Sequence, residues 1–502
     1  MMQEFIQPAM TLLDWLTTIF VFLLGLAVLA IIALYIIDRR QTADAVRRNY
    51  PVVGRLRHIF TELGEFFRQY FFAMDREEMP FNRAQRDWIS RASQGKGNTV
   101  AFGSTRNLDP VGTPIFVNCP WPTLDNDKVR PPALMIGEGS AASPYLAPSY
   151  FNVSAMSYGS LSKPAIQALS HGAAKAGCWM NTGEGGVSPF HLEGGCDIIF
   201  QIGTAKYGVR DADGNLCDTK LAEVAAHEQV RMFEIKLSQG AKPGKGGILP
   251  AEKVNAEIAQ IRGITPHKAS ISPNRWPEIA SSDDLLSMIA RIRRVTGKPV
   301  GFKTVVGAYG WLDDLMAEIV KRGPECAPDF ITVDGGDGGT GAAPMPLIDN
   351  VGLTLRESLP MVVDMREKYG LKDRTRIIAS GKLVTPGEVA WAMCTGADFV
   401  NSARGFMFAL GCIQAMKCNK NTCPTGITTH DERLQKGLDP MNKAERVAHF
   451  VDNMRKEVGV ISHSCGVDEP RGLRRYHVRM VCSDGKSRPM DELYPVAKVE
   501  AA

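Results

Sequence analysis

The sequence carries little net charge. Its 58 Lys and Arg residues nearly balance its 54 Asp and Glu residues, so the formal charge is only +4 over 502 residues. A protein that binds nucleic acid concentrates basic side chains to neutralise a run of phosphates. The basic residues of this chain are spread along its length, which argues against nucleic acid as a partner.

Two motifs for metals and cofactors are also absent. No CxxC pair occurs, although structural zinc sites with four ligands commonly use such pairs. No GxGxxG opens a helix directly after a strand, which is the arrangement of a separate dinucleotide-binding domain. Eleven cysteines in so long a chain do not make a small disulfide scaffold, and in a reducing compartment a tight cysteine cluster favours metal or redox chemistry.

Near its beginning the chain contains an uncharged run of 23 residues, Trp15–Ile37. A helix of that length spans a hydrocarbon core of about 30 Å at about 1.5 Å per residue. Asp38, Arg39 and Arg40 follow directly, in place of a small-residue cleavage site, so we interpret the run as an uncleaved transmembrane anchor. A buried core helix is the alternative, but core helices seldom need so many consecutive apolar residues.

Basic residues flank only one side of this run. Arginines follow it at positions 39, 40, 47 and 48, whereas no Lys or Arg precedes it. The positive-inside rule therefore predicts a single-pass membrane protein whose catalytic domain is cytoplasmic. The predicted divisions are a tail (1–14), the transmembrane helix (15–37), a juxtamembrane arm that packs on the main domain (38–150), the main domain (151–430) and a C-terminal helical extension (431–502).

The main domain alternates short apolar runs with helical segments, the pattern of parallel strands joined by crossover helices. Eight such units predict an α/β fold, a closed (β/α)8 TIM barrel, in which reactive groups lie on the loops after the strands. The predicted strands are Phe151–Ser157, Trp179–Thr182, Asp197–Gly203, Met232–Ser238, Val300–Val306, Phe330–Asp334, Arg376–Ser380 and Phe399–Ala403.

Glycine crowds the loop after the sixth strand, DGGDGGTGAAP, where missing side chains let backbone amides approach an anion. Ser-Gly-Lys and Ala-Arg-Gly follow strands seven and eight, where barrels of this type often bind phosphate. A flexible loop is the alternative for the glycine run alone, but the three loops together indicate a phosphorylated ring cofactor, FMN rather than NAD. The cofactor candidates here are Gly335, Gly336, Gly339, Gly381, Lys382, Arg404 and Gly405.

Lys236 interrupts the apolar strand MFEIKLS. A buried ammonium needs an anionic or polar partner, so Lys236 either forms an ion pair in the core or lies beside a flavin. Positive charge near the N1–C2 carbonyl region of a flavin would stabilise its anionic reduced form.

Three cysteines stand close together in GCIQAMKCNKNTCPTG: Cys412, Cys418 and Cys423. Thiolates this close in sequence can bind one inorganic cluster, and a Cys-Pro ending recurs in ferredoxin-type ligand runs. Three ligands suit a 3Fe-4S cluster, whereas structural zinc usually takes four. The alternative is that these are free thiols that act as small apolar residues.

As a set, these segments resemble the FMN-binding synthase domain of glutamate synthases, particularly the single-chain bacterial and archaeal forms. The resemblance covers about residues 100–435 and keeps the order MSYGSLSKPAI, NTGEGGVSPFH, QIGTAKYG, IKLSQGAKPGKGG, SPNRW, DGGDGGTGAAP and CIQAMKCNKNTCPTGI. It implies that the three cysteines hold a 3Fe-4S cluster beside FMN. It also implies that reduced FMN passes hydride to 2-iminoglutarate, which forms from 2-oxoglutarate and ammonia.

The resemblance also assigns individual residues. The family's lysine and arginine for the substrate carboxylates fall on Lys242, in QGAKPG, and Arg262, in IRGITP. Arginine can hold a carboxylate by two parallel hydrogen bonds; the alternative for Lys242 is a solvated loop charge. Glu184, in NTGEGG, is the candidate for orienting the amine or relaying a proton. Further cofactor candidates are Met156, Ser157, Gly159 and Gln201.

The chain departs from the family pattern in two ways. Members commonly carry GGQLPG or GGHLPG, whereas this chain has Ile248 after the two glycines. Isoleucine cannot hydrogen-bond a substrate, so a different oxo acid or imine is an alternative substrate. The chain begins MMQEF, and we expect no amidotransferase domain with an N-terminal cysteine nucleophile. Ammonia or another amine would then come from solution or from a partner.

Three functional hypotheses follow. The first is reductive amination of 2-oxoglutarate or a related 2-oxo acid, with electrons from an external donor such as ferredoxin. The second keeps FMN and the cluster but acts on a different imine or enone, with quinone as the electron partner at the membrane. The third is a non-catalytic redox or electron-transfer component that retains the barrel as a scaffold, since fold does not guarantee function. Lys242 and Arg262 argue against the third hypothesis.

Overall fold

The chain divides into two structural units, Met1–Ala84 and Gln85–Ala502, and the computed structural model describes residues 2–41 and 44–495. The helical segments of the first unit are Met2–Arg40, Ala45–Asn49, Leu56–Phe67 and a π-helical turn, Arg68–Phe72. Within the first helix, Met10–Arg40 is long and apolar enough to cross a membrane, a test of length and composition that signal sequences near an N-terminus also pass.

The second unit is built around a closed barrel of eight parallel strands, which confirms the predicted (β/α)8 fold. The strands, named β1 to β8 in chain order, are Phe151–Val153, Met180–Asn181, Ile198–Ile202, Val230–Lys236, Val300–Thr304, Phe330–Asp334, Arg376–Ser380 and Phe399–Ser402. Each strand pairs with the next, and β8 closes the ring against β1, with Val400 opposite Phe151. The strands are almost wholly buried because parallel sheets are covered on both faces.

The predicted strands differ from the observed ones mainly at their ends. β1 ends at Val153 instead of Ser157, because the chain leaves the sheet where Gly183 approaches it. A Cβ atom on Gly183 would lie 2.7 Å from the backbone nitrogen of Ser157. The freed segment, residues 154–157, becomes a loop at the barrel mouth.

Helices surround the barrel, and local sequence signals set their ends. The first crossover helix begins after Ser162, whose hydroxyl accepts the N–H of Ala165, and ends at Gly177 in the left-handed conformation. The helices of the second unit are Arg83–Ser93, which spans the boundary between the units, then Lys163–Ala176, Pro189–Leu192, Asp218–Ala225, Ala256–Arg262, Ser282–Thr296, Gly310–Arg322, Met345–Ile348, Leu355–Lys368, Pro386–Thr395, Arg404–Ala409, Glu432–Gln435, Pro440–Ser464 and Met490–Leu493.

An antiparallel hairpin, Leu134–Ile136 with Tyr145–Ala147, closes the amino-terminal end of the barrel. Its apolar side chains pack with Trp179, Phe330 and Phe399 in one buried cluster. Apolar side chains therefore fill this end of the barrel.

The region after residue 431 contains strands as well as the predicted helices. Val478–Val481 pairs antiparallel with Pro114–Phe116 on one side and with Ser487–Pro489 on the other. Residues before and after the barrel therefore form one small sheet.

We expect Gly172→Ala to destabilise the protein. Helix Lys163–Ala176 packs so closely on Pro440–Ser464 that a Cβ on Gly172 would lie 2.4 Å from Val447 Cβ and 2.8 Å from the carbonyl oxygen of Ala444. Overpacking of this kind costs about 1–3 kcal/mol, which thermal unfolding of the full chain measures. Gly310→Ala is the matched control, because a Cβ on Gly310 meets nothing within 4 Å. Equal unfolding midpoints for the two variants would contradict the packing described here.

Candidate functional site

A cavity opens at the carboxyl end of the barrel strands. Thirteen of the residues singled out in the sequence line it: Met156, Ser157, Glu184, Gln201, Lys236, Lys242, Ile248, Arg262, Gly339, Gly381, Lys382, Arg404 and Cys418. Six others lie outside its lining: Gly159, Gly335, Gly336, Gly405, Cys412 and Cys423. The barrel thus brings together loops that are separated by more than 200 residues of sequence.

An ion pair between Glu184 and Lys236 stands on the cavity wall. Lys236 Nζ donates to Glu184 Oε1 at 2.7 Å and also to Gln239 Oε1. Burial works to raise the pKa of Glu184, but Lys236 and Lys242 outweigh it and hold that pKa below its ordinary value. Glu184 is therefore ionised. Lys236 forms the ion pair considered from the sequence and also lines the cavity.

Glycines make the space that the Glu184 carboxylate occupies. A Cβ on Gly203 would lie 2.5 Å from Glu184 Oε2, and one on Gly247 would lie 2.4 Å from Glu184 Oε1. Any larger residue at either position would push the carboxylate away from Lys236. The glycine of QIGT and the last glycine of GKGG are thus explained by the position of one side chain.

Arg262 ends its helix and points its guanidinium at the cavity. Its Nη1 donates to Ser270 Oγ at 3.3 Å, and its Nη2 donates to the carbonyl oxygen of Tyr158 at 3.3 Å. Its Nε has no hydrogen-bond partner within the part of the chain that the structure describes. Gly159, which does not line the cavity, instead makes room for this side chain, since a Cβ there would lie 3.1 Å from Arg262 Nη2.

Lys242 is another buried cation on the cavity wall, beside Lys236 and Arg262. Among residues 2–41 and 44–495, no carboxylate or other acceptor contacts its Nζ. Burial, together with the nearby Lys236, lowers the pKa of Lys242 to about 8, although Glu184 acts in the opposite direction. The Lys242 ammonium is thus charged below about pH 8 and loses its charge as the pH rises through that value.

The loops after β6, β7 and β8 form the opposite side of the cavity. Gly339 lies against Arg404, because a Cβ at Gly339 would approach Arg404 Nε to 2.9 Å. Arg404 donates to the carbonyl oxygen of Thr340 and so joins the β6 and β8 loops. Gly381 has φ near 128°, which favours glycine, and Lys382 after it lines the cavity. Open backbone beside two cations suits a phosphate group.

Gly335, Gly336 and Gly405 have packing roles. A Cβ on Gly336 would lie 2.5 Å from the carbonyl oxygen of Gly352, and one on Gly405 would lie 2.7 Å from Ser402 Oγ. These glycines let the loops approach one another behind the cavity.

Sequence reasoning missed Lys303, which lines the cavity from β5 and pairs with Asp334 at 3.1 Å. Asp334 also accepts the N–H of Gly240. Lys303 interrupts the apolar strand VGFKT as Lys236 interrupts its own strand, and the two are opposite each other in the sheet. The same signal would have identified it.

The three cysteines lie on the segment that follows helix Arg404–Ala409. Cys418 lines the cavity, and Arg404 Nη1 is 3.9 Å from its sulfur. Burial raises the pKa of the Cys412 thiol. For Cys423, burial also acts to raise the pKa, but hydrogen bonds from Thr425 and Thr428 outweigh it and lower that pKa.

Lys253, a residue that the sequence did not single out, fastens this cysteine segment to the barrel. Its side chain is buried and its Nζ donates to the carbonyl oxygens of Cys418 at 2.8 Å, Thr428 at 2.5 Å and Ser160 at 3.3 Å. One ammonium therefore links the cysteine segment, at Cys418 and at Thr428 after the last cysteine, to Ser160 in the loop after β1. No carboxylate pairs with Lys253 in the described ranges.

Comparison with known proteins agrees with this architecture. Residues 122–468 match the conserved region in glutamate synthase. The chain is 38% identical to the glutamate synthase large subunit-like protein YerD of Bacillus subtilis, over 94% of this chain and 97% of that protein. It is 33% identical to the archaeal-type glutamate synthase [NADPH] of Dehalococcoides mccartyi, over 65% of this chain and 63% of that protein.

Among solved structures, the recombinant flavin-binding domain of baker's yeast flavocytochrome b2 aligns with 83% of this chain and 85% of its own, at 14% identity and a TM-score of 0.44. The fold is established by the closed barrel of eight strands. Together, the matched region and the near full-length similarity to YerD identify this chain as a member of the glutamate synthase family.

Proposed function

We propose that this protein is an FMN-dependent, glutamate synthase-like oxidoreductase that reduces the imine formed from a 2-oxo acid and ammonia, with 2-oxoglutarate as the first candidate. The observation that carries the proposal is the pair Lys242 and Arg262. Both side chains are buried on the cavity wall, and neither contacts a carboxylate among the described residues. Buried cations without counter-ions favour an anionic ligand, and a dicarboxylate supplies one carboxylate to each.

The cavity fits FMN at both ends. Gly339 and Gly381 keep the backbone open beside Arg404, which suits the phosphate. Gln201 and Lys236 line the cavity from β3 and β4, where they would contact the ring system. Bound FMN would supply hydride at the barrel mouth.

The protein's own residues would then bind and orient the substrate. Arg262 is held by Ser270 and the Tyr158 carbonyl, so it would offer a fixed guanidinium to one carboxylate. Lys242 would hold the other carboxylate, and binding would weaken above about pH 8 as Lys242 loses its charge. The ionised carboxylate of Glu184 would accept hydrogen bonds from the amine and orient it.

We also propose that Cys412, Cys418 and Cys423 hold a 3Fe-4S cluster that passes electrons from an external donor. In the described ranges, no three His, Cys, Asp or Glu side chains are close enough together to bind one metal ion. A three-iron cluster differs in this respect, since it needs its thiolates spread further apart than one ion does. The hydrogen bonds that lower the pKa of Cys423 favour the thiolate that a cluster requires.

Ile248 supports a second candidate substrate. It lies in the short strand Ile248–Leu249, which pairs with Ser270–Ile271, and it lines the cavity. An apolar side chain there would favour an oxo acid whose distal part is less polar than that of 2-oxoglutarate.

We further propose that Trp15–Ile37 anchors the protein in a membrane, with the barrel in the cytoplasm. The arginines after this run and the absence of Lys and Arg before it support that orientation. The electron donor would be a ferredoxin-like protein or a membrane quinone, and the anchor would bring the barrel close to a quinone.

The central test is oxidation of the reduced, anaerobic protein by 2-oxoglutarate plus ammonium, followed in the visible spectrum. Arg262→Ala should weaken oxo-acid binding by about 30-fold or more, because removing one partner of a desolvated charge pair costs about 2–5 kcal/mol. Arg262→Lys should recover part of this loss, since a point charge cannot reproduce two-point geometry. Arg291→Ala, on the surface, is the control. Normal binding by Arg262→Ala would refute the assigned role.

Ile248→Gln tests the substrate. If 2-oxoglutarate is bound in the family manner, this variant should keep or improve oxidation by 2-oxoglutarate plus ammonium, because glutamine adds a hydrogen-bonding group to the cavity wall. Ile271→Gln is the matched control, since Ile271 pairs with Ile248 in the same two-stranded sheet but is exposed. Loss of turnover in Ile248→Gln, together with preference of the unmodified enzyme for a more apolar oxo acid, would favour the second candidate substrate.

Cys418→Ser tests the cluster. The variant should lose iron and acid-labile sulfide, measured per chain, because a three-ligand cluster cannot spare one thiolate. Cys326→Ser, in a different part of the barrel, should retain both. A full complement of iron in Cys418→Ser would show that this cysteine is not a ligand.

A further inference from the structure

We propose that helix Leu56–Phe67 and the aromatic turn after it lie in the interface of an anionic membrane leaflet, as a second membrane contact beside the anchor. The inference rests on the anchor proposed above and goes beyond it. It concerns the first structural unit only. The apolar stripe is defined by Leu56, Ile59, Phe60 and Leu63.

The spacing of the stripe is that of one helix face. Its members follow the pattern i, i+3, i+4 and i+7, so their side chains point the same way. They are between 41% and 66% exposed. Contiguous exposed apolar surface of this kind marks a site that a partner or a membrane covers.

A buried carboxylate sets the level of the stripe relative to the anchor. Asp38, two residues before the end of the long helix, is fully buried. Its carboxylate pairs with Arg47 and Arg55, each at 2.7 Å, and accepts the N–H of Val52 at 3.0 Å. Because Arg55 directly precedes Leu56, the start of the stripe is fixed beside the end of the anchor, which is the depth of the lipid headgroups.

The surrounding side chains match a headgroup layer. Phe71 and Phe72 in the turn after the helix are exposed, and aromatic residues are enriched at membrane interfaces. Arg39, Arg40 and Arg48 add exposed positive charge close to the same point, and arginines near an anionic lipid surface are attracted to it. Helices that lie in a membrane interface are typically amphipathic and have basic residues beside their apolar face, as this helix does.

The test uses the full chain in vesicles of neutral lipid or of neutral and anionic lipid, with lipids brominated at defined depths as quenchers of tryptophan emission. Trp15 lies in the anchor, and its contribution is obtained by comparison with Trp15→Phe. Phe60→Trp adds a probe to the stripe. Glu62→Trp adds a probe two residues further on, which points away from Phe60 around the same helix, as the matched control.

We expect the Phe60→Trp signal to shift to shorter wavelength and to be quenched by lipids brominated near the headgroup, more strongly in anionic vesicles. The Glu62→Trp signal should remain unquenched. If Trp15 is quenched but the Phe60→Trp signal is not, the stripe faces water or a second copy of the chain, and the inference is overturned while the anchor stands. If neither probe is quenched, the anchor and the inference both fail.

Discussion

Buried positive charge at the barrel mouth is the constraint on which the site depends. Lys236 and Lys303 each pair with one carboxylate, Glu184 and Asp334, whereas Lys242 and Arg262 contact none among the described residues. Burying a cation without a partner is unfavourable. The barrel keeps this charge because backbone and glycine geometry hold it in position, and the folded protein therefore favours an anionic ligand at its mouth.

The two sides of the barrel mouth differ in composition. The loops after β2 to β4 carry charged side chains that need small neighbours, and Gly203 and Gly247 leave the space for the Glu184 carboxylate. The loops after β6 to β8 instead offer open backbone with Arg404 between them. A ligand with a phosphate at one end and a reactive ring at the other matches this division, and Lys253 holds the cysteine segment next to it.

Membership of the glutamate synthase family fixes the framework but leaves the specificity open. Lys242 and Arg262 lie on the cavity wall, where we propose that they hold the substrate carboxylates. Ile248 places an apolar side chain on the same wall. A hydrophobic replacement changes discrimination between substrates more than it changes the chemistry at the cofactor. In the first unit, the ion pairs of Asp38 with Arg47 and Arg55 determine how the chain leaves its long apolar helix.

The sequence by itself determined the eight strands, their order and the loops that carry chemistry, because period and glycine content are local properties. It also pointed to most of the residues that line the cavity. Only the tertiary structure decided that Gly159 serves Arg262, that Gly335 and Gly336 pack behind the cavity, and that Lys253 and Lys303 belong to its wall. These facts depend on distances between loops that are far apart in sequence, and such distances are set by how the loops pack in the closed barrel, which no local pattern encodes.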